Sequence, residues 1–278
     1  MVRKDGGLAW IFKDDKWTAC ADTLAMADYP HEFTLATCLD APAVEGSSLA
    51  GFMPMSSRFM VPPGFPYGEA ESSGRKSSGQ EGEPRIFLTP KLHRERCMLD
   101  PAEVRITATA RRASRHFRVS VNKAFDETLA ACIGIHGDGW LTPPLTRVFR
   151  ELHACRTGRP FQIVSVELWK DDALVAGEIG YAAGTAYASL SGFHRLSGAG
   201  TVQLAALAWI LAGSGYTIWD LGMPMDYKAA LGGRTVSRYE YLPLLRNAYS
   251  QSPARPLERG MDPVTVHLPQ ACVRVGCS

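Results

Sequence analysis

No stretch of this 278-residue sequence approaches the roughly 18–20 consecutive apolar residues that a membrane-spanning helix needs. No signal-peptide core forms either: the basic start Met1-Val2-Arg3-Lys4-Asp5 soon meets Asp14, Asp15 and Lys16, so the cytosol is the default expectation. The seven cysteines are odd in number and contain no C-x-x-C pair. A disulfide framework and a structural zinc site are therefore not expected, and most of the cysteines read as small buried apolar residues. There is no Walker pattern and no strand–GxGxxG–helix unit; Gly137-x-Gly139 and Gly232-Gly233 are isolated glycine pairs. Ligand spacing supports no metal, and no cofactor is expected.

What remains is an ordinary globular composition, 46% hydrophobic and 21% charged, enough for one large domain or two unequal ones. The net charge of +2 says nothing about nucleic acid, but its distribution does. Between Lys91 and Lys123 stand nine basic residues, Lys91, Arg94, Arg96, Arg105, Arg111, Arg112, Arg115, Arg118 and Lys123, against Glu95, Asp100 and Glu103. Two readings stand side by side: a solvated helix face, or an electrostatic footprint for a polyanion.

The first fifty residues are weakly patterned and read, up to residue 63, as a small N-terminal subdomain. Residues 64–85, rich in Gly, Ser and Glu, hold too few apolar side chains to offset their ordering entropy and read as a disordered insertion. Asp100-Pro101 looks like a helix start, with a basic helix running to about Arg115. Phe117–Val121 alternates as a strand. Phe125, Leu129 and Cys132 stand at helical spacing, and Pro143-Pro144 opens a helix with Leu145, Val148, Phe149 and Leu152 on one face. Gln162–Trp169 and Leu174–Tyr181 form a hairpin around Asp171-Asp172, with a third antiparallel strand over Thr185–Ser191. Gly200–Gly213 is a buried helix, Tyr216–Asp220 a short buried strand, and Asp226–Leu231 a further helix. Residues 248–278 read as a weakly ordered tail. Helix, antiparallel meander, helix, strand is the order of an α+β, acetyltransferase-like domain, here spanning 86–247.

Several short strings, in order, resemble the leucyl/phenylalanyl-tRNA–protein transferases over about residues 50–246. Gly51-Phe52-Met53-Pro54-Met55 resembles the family's G-I-F-P-M, and Gly139-Trp140-Leu141-Thr142 its T-W-I-T. Leu152-His153 matches a Leu-His pair, and Ser165-Val166-Glu167-Leu168-Trp169 is similar to S-V-E-x-W. Leu174–Gly177, Ala230-Leu231-Gly232 and Arg238–Leu242 resemble L-V-G-G, S-L-G and R-x-x-(F/Y)-L. Three strings depart. Leu190 stands where the G-E-S-M-F-S strand has its glutamate, Gly198–Thr201 replaces N-A-S-K, and Asp220-Leu221-Gly222 replaces D-C-Q, so Gly222 has no side chain to replace the glutamine that supports the acid.

The resemblance implies transfer of an amino acid from aminoacyl-tRNA to the N-terminal amine of an acceptor protein with a basic first residue, which marks it for degradation. The ester is already activated, so positioning and oxyanion stabilisation supply much of the rate. Asp220 is the catalytic candidate, to orient the attacking amine or accept its proton; a turn or cap acid is the plain alternative. Trp140 is placed to stack on the terminal adenine or to anchor a core. Glu167, alternating with Val166 and Leu168, reads as facing a wet side of the sheet. Tyr187, Ser191, Phe193, Gly222 and Met223 complete the expected substrate-binding set, with core packing equally open for Tyr187 and Phe193. Arg105, Arg111, Arg112 and Arg115 are the expected tRNA-binding residues. Two other functions fit the same fold: an acyl-CoA-dependent N-acyltransferase, whose pyrophosphate loop finds only Leu196–Gly200 as a poor candidate, and a non-catalytic binder of tRNA or degron peptides.

Overall fold

A computed structural model describes residues 3–5, 7–70, 82–257 and 260–270. The chain divides into two compact units, one of residues 1–94 and 136–152, the other of residues 95–135 and 153–278.

The first unit carries β1 (Arg3–Asp5), β2 (Leu8–Ile11), α1 (Trp17–Met26), β3 (Thr34–Ala36), α2 (Ala41–Leu49), β4 (Ser56–Val61), β5 (Glu69–Ala70) and β6 (Glu83–Leu88). Its sheet runs in the order β1-β2-β3-β6-β4, with β5 also on β6. Asp40 starts α2 by accepting the Ala43 N–H at 2.9 Å, which satisfies one of the amides a helix leaves open at its start. Trp10 and Phe59 each meet the Phe87 ring edge-on at 5.8 Å, so aromatic packing takes a large share of this small core. The insertion expected to be disordered over residues 64–85 is ordered at both ends: inside it Glu69 pairs with Ile86 and Ala70 with Arg85 as strand partners, while residues 71–81 lie outside the described residues.

The remaining elements are β7 (Glu95–Leu99), α3 (Ala108–Ser114), β8 (Arg118–Val121), α4 (Phe125–His136), α5 (Pro143–Ala154), β9 (Phe161–Lys170), β10 (Ala173–Ala183), β11 (Ala186–His194), α6 (Ala199–Gly213), β12 (Ile218–Asp220), α7 (Asp226–Ala230), β13 (Arg234–Ser237), α8 (Arg238–Tyr249) and β14 (Met261–Thr265). Up to Leu152, α5 belongs to the first unit. In the second unit the strands run β13-β7-β12-β11-β10-β9-β8-β14, every neighbouring pair antiparallel except β11 with β12. This is an α+β fold. The Asp171 turn between β9 and β10 takes a left-handed φ of 53°, which Asp tolerates better than most residues. Helix α6 packs on β9, β10, β11 and α3, so it is apolar nearly all round, and Gly215 at φ 83° follows its end.

The expected helix over residues 100–115 is not one helix. Pro101–Glu103 is a 3-10 turn, Val104 is extended, and α3 begins only after Thr107, whose side chain accepts the Ala110 N–H at 3.1 Å. The break has a cause: the Arg105 N–H donates to the Leu231 carbonyl at 2.8 Å, a tertiary bond that takes the chain off the helical path. Inside the stretch expected as a weak tail, β14 pairs with β8, Met261 opposite Val121. Among the described residues no helix is long and apolar enough to cross a membrane.

Candidate functional site

Strand β12 ends on Asp220, between β11 and β7, opposite Ala188 and Met98. A carboxylate there is costly unless paired. Its partner is Arg96 on β7: the two form an ion pair in which each side chain is only 2% exposed. The other carboxylate oxygen accepts the Gly222 N–H at 2.9 Å. The Arg96 guanidinium lies 4.8 Å from the Tyr241 ring centre of α8. Arg96, part of the basic run by sequence, is instead a core residue, because it holds the acid at the strand end.

The turn after Asp220 is fixed from three sides. Gly222 takes a left-handed φ of 72°, which only glycine adopts freely, and its carbonyl accepts the Cys97 N–H at 2.7 Å. Lys228 on α7, 8% exposed, donates from Nζ to the carbonyls of Leu221 at 2.5 Å and Met223 at 2.8 Å. Burial holds the Lys228 ammonium below the ordinary lysine range, against Cys97, Asp220 and Glu178, which favour its charge. A Cβ on Gly222 would meet nothing within 4 Å, so the turn borders open space. Met223, Met225 and Tyr227 are each about half exposed along it.

The central strands hold two further buried carboxylates. Glu178 on β10 accepts Tyr187 Oη at 2.9 Å, Ser189 Oγ at 2.7 Å and Gln203 Nε2 at 3.1 Å. Burial raises its carboxyl above the usual range, and these three donors oppose the rise. Tyr187, expected to line a pocket, is fully buried and committed to this network. Glu167 on β9 does not face a wet side: it is fully buried, accepting Ser120 Oγ and Ser165 Oγ, each at 2.5 Å, and the N–H groups of Ala124 at 3.3 Å and Lys123 at 3.4 Å. Those amides lead into α4, so Glu167 is the anion at that helix start. Alternation identified its face correctly but not the helix that covers it.

Ser191 and Phe193 on β11 are both buried, and the Ser191 hydroxyl has no hydrogen-bond partner among the described residues. The Ser191 carbonyl takes the Cys132 thiol at 3.3 Å, and burial pushes that thiol up to about 12. Arg195 lies 5.2 Å from the Phe193 ring centre. Trp140 belongs to the first unit, where it is half-buried and its carbonyl accepts Ser56 Oγ at 2.7 Å. Among the four expected tRNA-binding arginines of the second unit, Arg105, Arg112 and Arg115 are exposed and Arg111 is half-buried. Others of the basic run are committed: Lys91 to Glu32 at 3.1 Å and Arg94 to Asp28 at 3.3 Å in the first unit, Arg118 to Asp172 at 3.0 Å and Lys123 to Asp262 at 2.8 Å in the second. The sequence pattern does not single out Arg96, Glu178 or Lys228. A lone charge inside the apolar run Leu174–Tyr181 was the available signal for Glu178; for the other two there was none.

Residues 98–246 match a protein-family profile described as leucyl/phenylalanyl-tRNA protein transferase. Curated proteins named leucyl/phenylalanyl-tRNA–protein transferase are similar to the chain at about 30% identity. The Deinococcus radiodurans protein is 34% identical over 157 residues, which is 54% of this chain and 72% of that one. The Stutzerimonas stutzeri protein is 31% identical over 164 residues, 57% of this chain and 69% of its own. The Pseudomonas aeruginosa protein is 29% identical over 184 residues, 64% and 78% respectively.

Proposed function

We propose that this chain, which belongs to the leucyl/phenylalanyl-tRNA–protein transferase family as a divergent member, transfers an amino acid from aminoacyl-tRNA to the N-terminal amine of an acceptor protein beginning with a basic residue. The observation that carries the reading is Asp220: a buried carboxylate held by Arg96 and the Gly222 N–H, beside a turn that borders open space, inside the matched stretch. The antiparallel β9-β10-β11 meander, followed by α6 and the parallel strand β12, supports an acetyltransferase-like layout for the second unit.

In the reaction the acceptor nitrogen attacks the ester carbonyl carbon, a peptide bond forms, and the ester C–O bond breaks to release the tRNA hydroxyl. The attacking amine has an ordinary pKa of about 8, so it arrives mostly as ammonium and must lose a proton. Each oxygen of an ionised carboxylate accepts more than one bond, so Asp220 retains capacity for that amine after serving Arg96 and Gly222. The ion pair with Arg96 fixes the Asp220 carboxylate in place, which suits it to hold an ammonium and then the neutral amine. Arg105, Arg112 and Arg115, exposed near α3, are the groups for the tRNA phosphates. The acceptor so marked is directed to degradation.

The test is a transfer assay. The protein is incubated with labelled leucyl- or phenylalanyl-tRNA, or with labelled acyl-CoA, and a peptide beginning with Lys or Arg. Label passing from aminoacyl-tRNA to the peptide is the expected result. Label passing only from acyl-CoA makes the chain an N-acyltransferase, and tRNA binding with no transfer makes it a binder.

A further inference from the structure

The turn that carries Asp220 has no side chain at position 222, yet it is not left unsupported. Lys228 reaches back from α7 and donates to the carbonyls on either side of Gly222, those of Leu221 and Met223. The Leu221 carbonyl belongs to the same peptide group as the Gly222 N–H, and that N–H donates to Asp220 at 2.9 Å. A cation on the oxygen of a peptide polarises it and strengthens donation from its nitrogen, so hydrogen bonds in such a chain reinforce one another. The chain here is Lys228 ammonium, Leu221–Gly222 peptide, Asp220 carboxylate. We infer that Lys228 is a positioning residue for Asp220, acting through the Leu221–Gly222 peptide and supplying from α7 the support that a side chain at position 222 cannot. The inference rests on the transferase reading for its catalytic consequence, but the coupling itself belongs to the folded protein.

The geometry also explains the glycine. At φ 72° a side chain at position 222 strains the backbone even though open space lies beside it. Support from a distant lysine leaves the turn free to take that conformation. Cys97 from β7, Asp220 from β12, Glu178 from β10 and Tyr227 on α7 are the titratable groups around the ammonium. Burial disfavours the charged lysine, while the Asp220 and Glu178 carboxylates favour it.

The experiment compares wild type, Lys228→Met and Lys228→Arg by two readouts. The first is the amide proton shift of Gly222 in the folded protein, followed by NMR. It moves upfield in Lys228→Met, as it does in Asp220→Asn, because the N–H loses polarisation from one end or the charged acceptor from the other. Lys228→Arg, which keeps a cation, restores the wild-type position. The second readout is transfer: kcat falls about 10-fold in Lys228→Met with KM for the peptide little changed, the scale expected when a group that orients a functional side chain from behind is removed. An unchanged Gly222 shift in a folded Lys228→Met protein overturns the inference. So does a loss of kcat that adds in full to that of Asp220→Asn, since a residue acting only through Asp220 has no separate effect once its charge is gone. If wild type transfers nothing, the transferase reading fails, and the Gly222 shift alone decides the role of Lys228.

Discussion

Replacing Arg96 by Met removes the charge that makes a buried Asp220 tolerable. Both side chains are 2% exposed, so solvent screens the pair little. Among the described residues, the remaining hydrogen-bond donor to Asp220 is the Gly222 N–H. Breaking a buried pair from one side costs about 3–5 kcal/mol, because the other charge stays buried and uncompensated. Loss of the guanidinium over the Tyr241 ring adds to this. For a protein of this size each kcal/mol lowers Tm by about 2–4 °C, so Arg96→Met melts about 6–20 °C below wild type. Urea denaturation at neutral pH reads the loss. The double variant Arg96→Met/Asp220→Leu removes both charges and recovers most of the loss. A single variant within 1 kcal/mol of wild type at neutral pH, or a double variant that is merely the sum of the singles, refutes the pairing as the anchor of the site.

Three other perturbations test separate parts of the account. Glu167→Ala strips the acceptor from Ser120, Ser165 and the amides leading into α4, and lowers stability by about 2–4 kcal/mol in a urea titration, whereas Glu167→Gln, which keeps an acceptor, costs less. His153, stacked on Phe125 at 3.9 Å and held down to about 4 by burial, is neutral in the folded state, so stability falls as pH drops from about 6.5 toward 4; His153→Gln removes that part of the acid slope in thermal melts. Changing Arg111, Arg112 and Arg115 to Ala weakens tRNA binding and flattens its salt dependence in filter-binding titrations, as expected when phosphate contacts that release counterions are lost.

The parts of this fold that the sequence made legible are those with an unbroken period. The expected strands 162–169, 174–181 and 185–191 appear as Phe161–Lys170, Ala173–Ala183 and Ala186–His194, because alternation and the Asp171-Asp172 turn leave little choice of register. On α5, Leu145, Val148, Phe149 and Leu152 are all buried, as one helical face requires. What failed depends on partners far along the chain. Arg96 looked like part of a basic surface because its acid lies 124 residues away, at a strand end that only the sheet order brings beside it. Glu167 looked wet because alternation tells which residues share a face, not that the start of α4 covers this one. The helix expected over 100–115 was broken by one backbone bond, Arg105 to Leu231, that no local pattern encodes. Trp140 read as part of the transferase domain, yet residues 136–152 return to the first unit. Of the candidate site, Asp220 was legible as an acid ending an apolar strand. Its supports, Arg96 and Lys228, were not, because both act through tertiary contacts.

The central claim is that Asp220 holds the reacting amine, and single-turnover transfer by Asp220→Asn tests it most directly. The substitution keeps the shape of the side chain and removes its charge, and circular dichroism together with tRNA affinity establishes that the fold and the first substrate are retained. The rate of label transfer from aminoacyl-tRNA to a Lys- or Arg-initiated peptide is expected to fall roughly 10²–10⁴-fold, the range for loss of a positioned acid–base group. Transfer by a folded Asp220→Asn protein at the wild-type rate would contradict it, and would leave the Arg96–Asp220 pair as a purely structural clamp between β7 and β12.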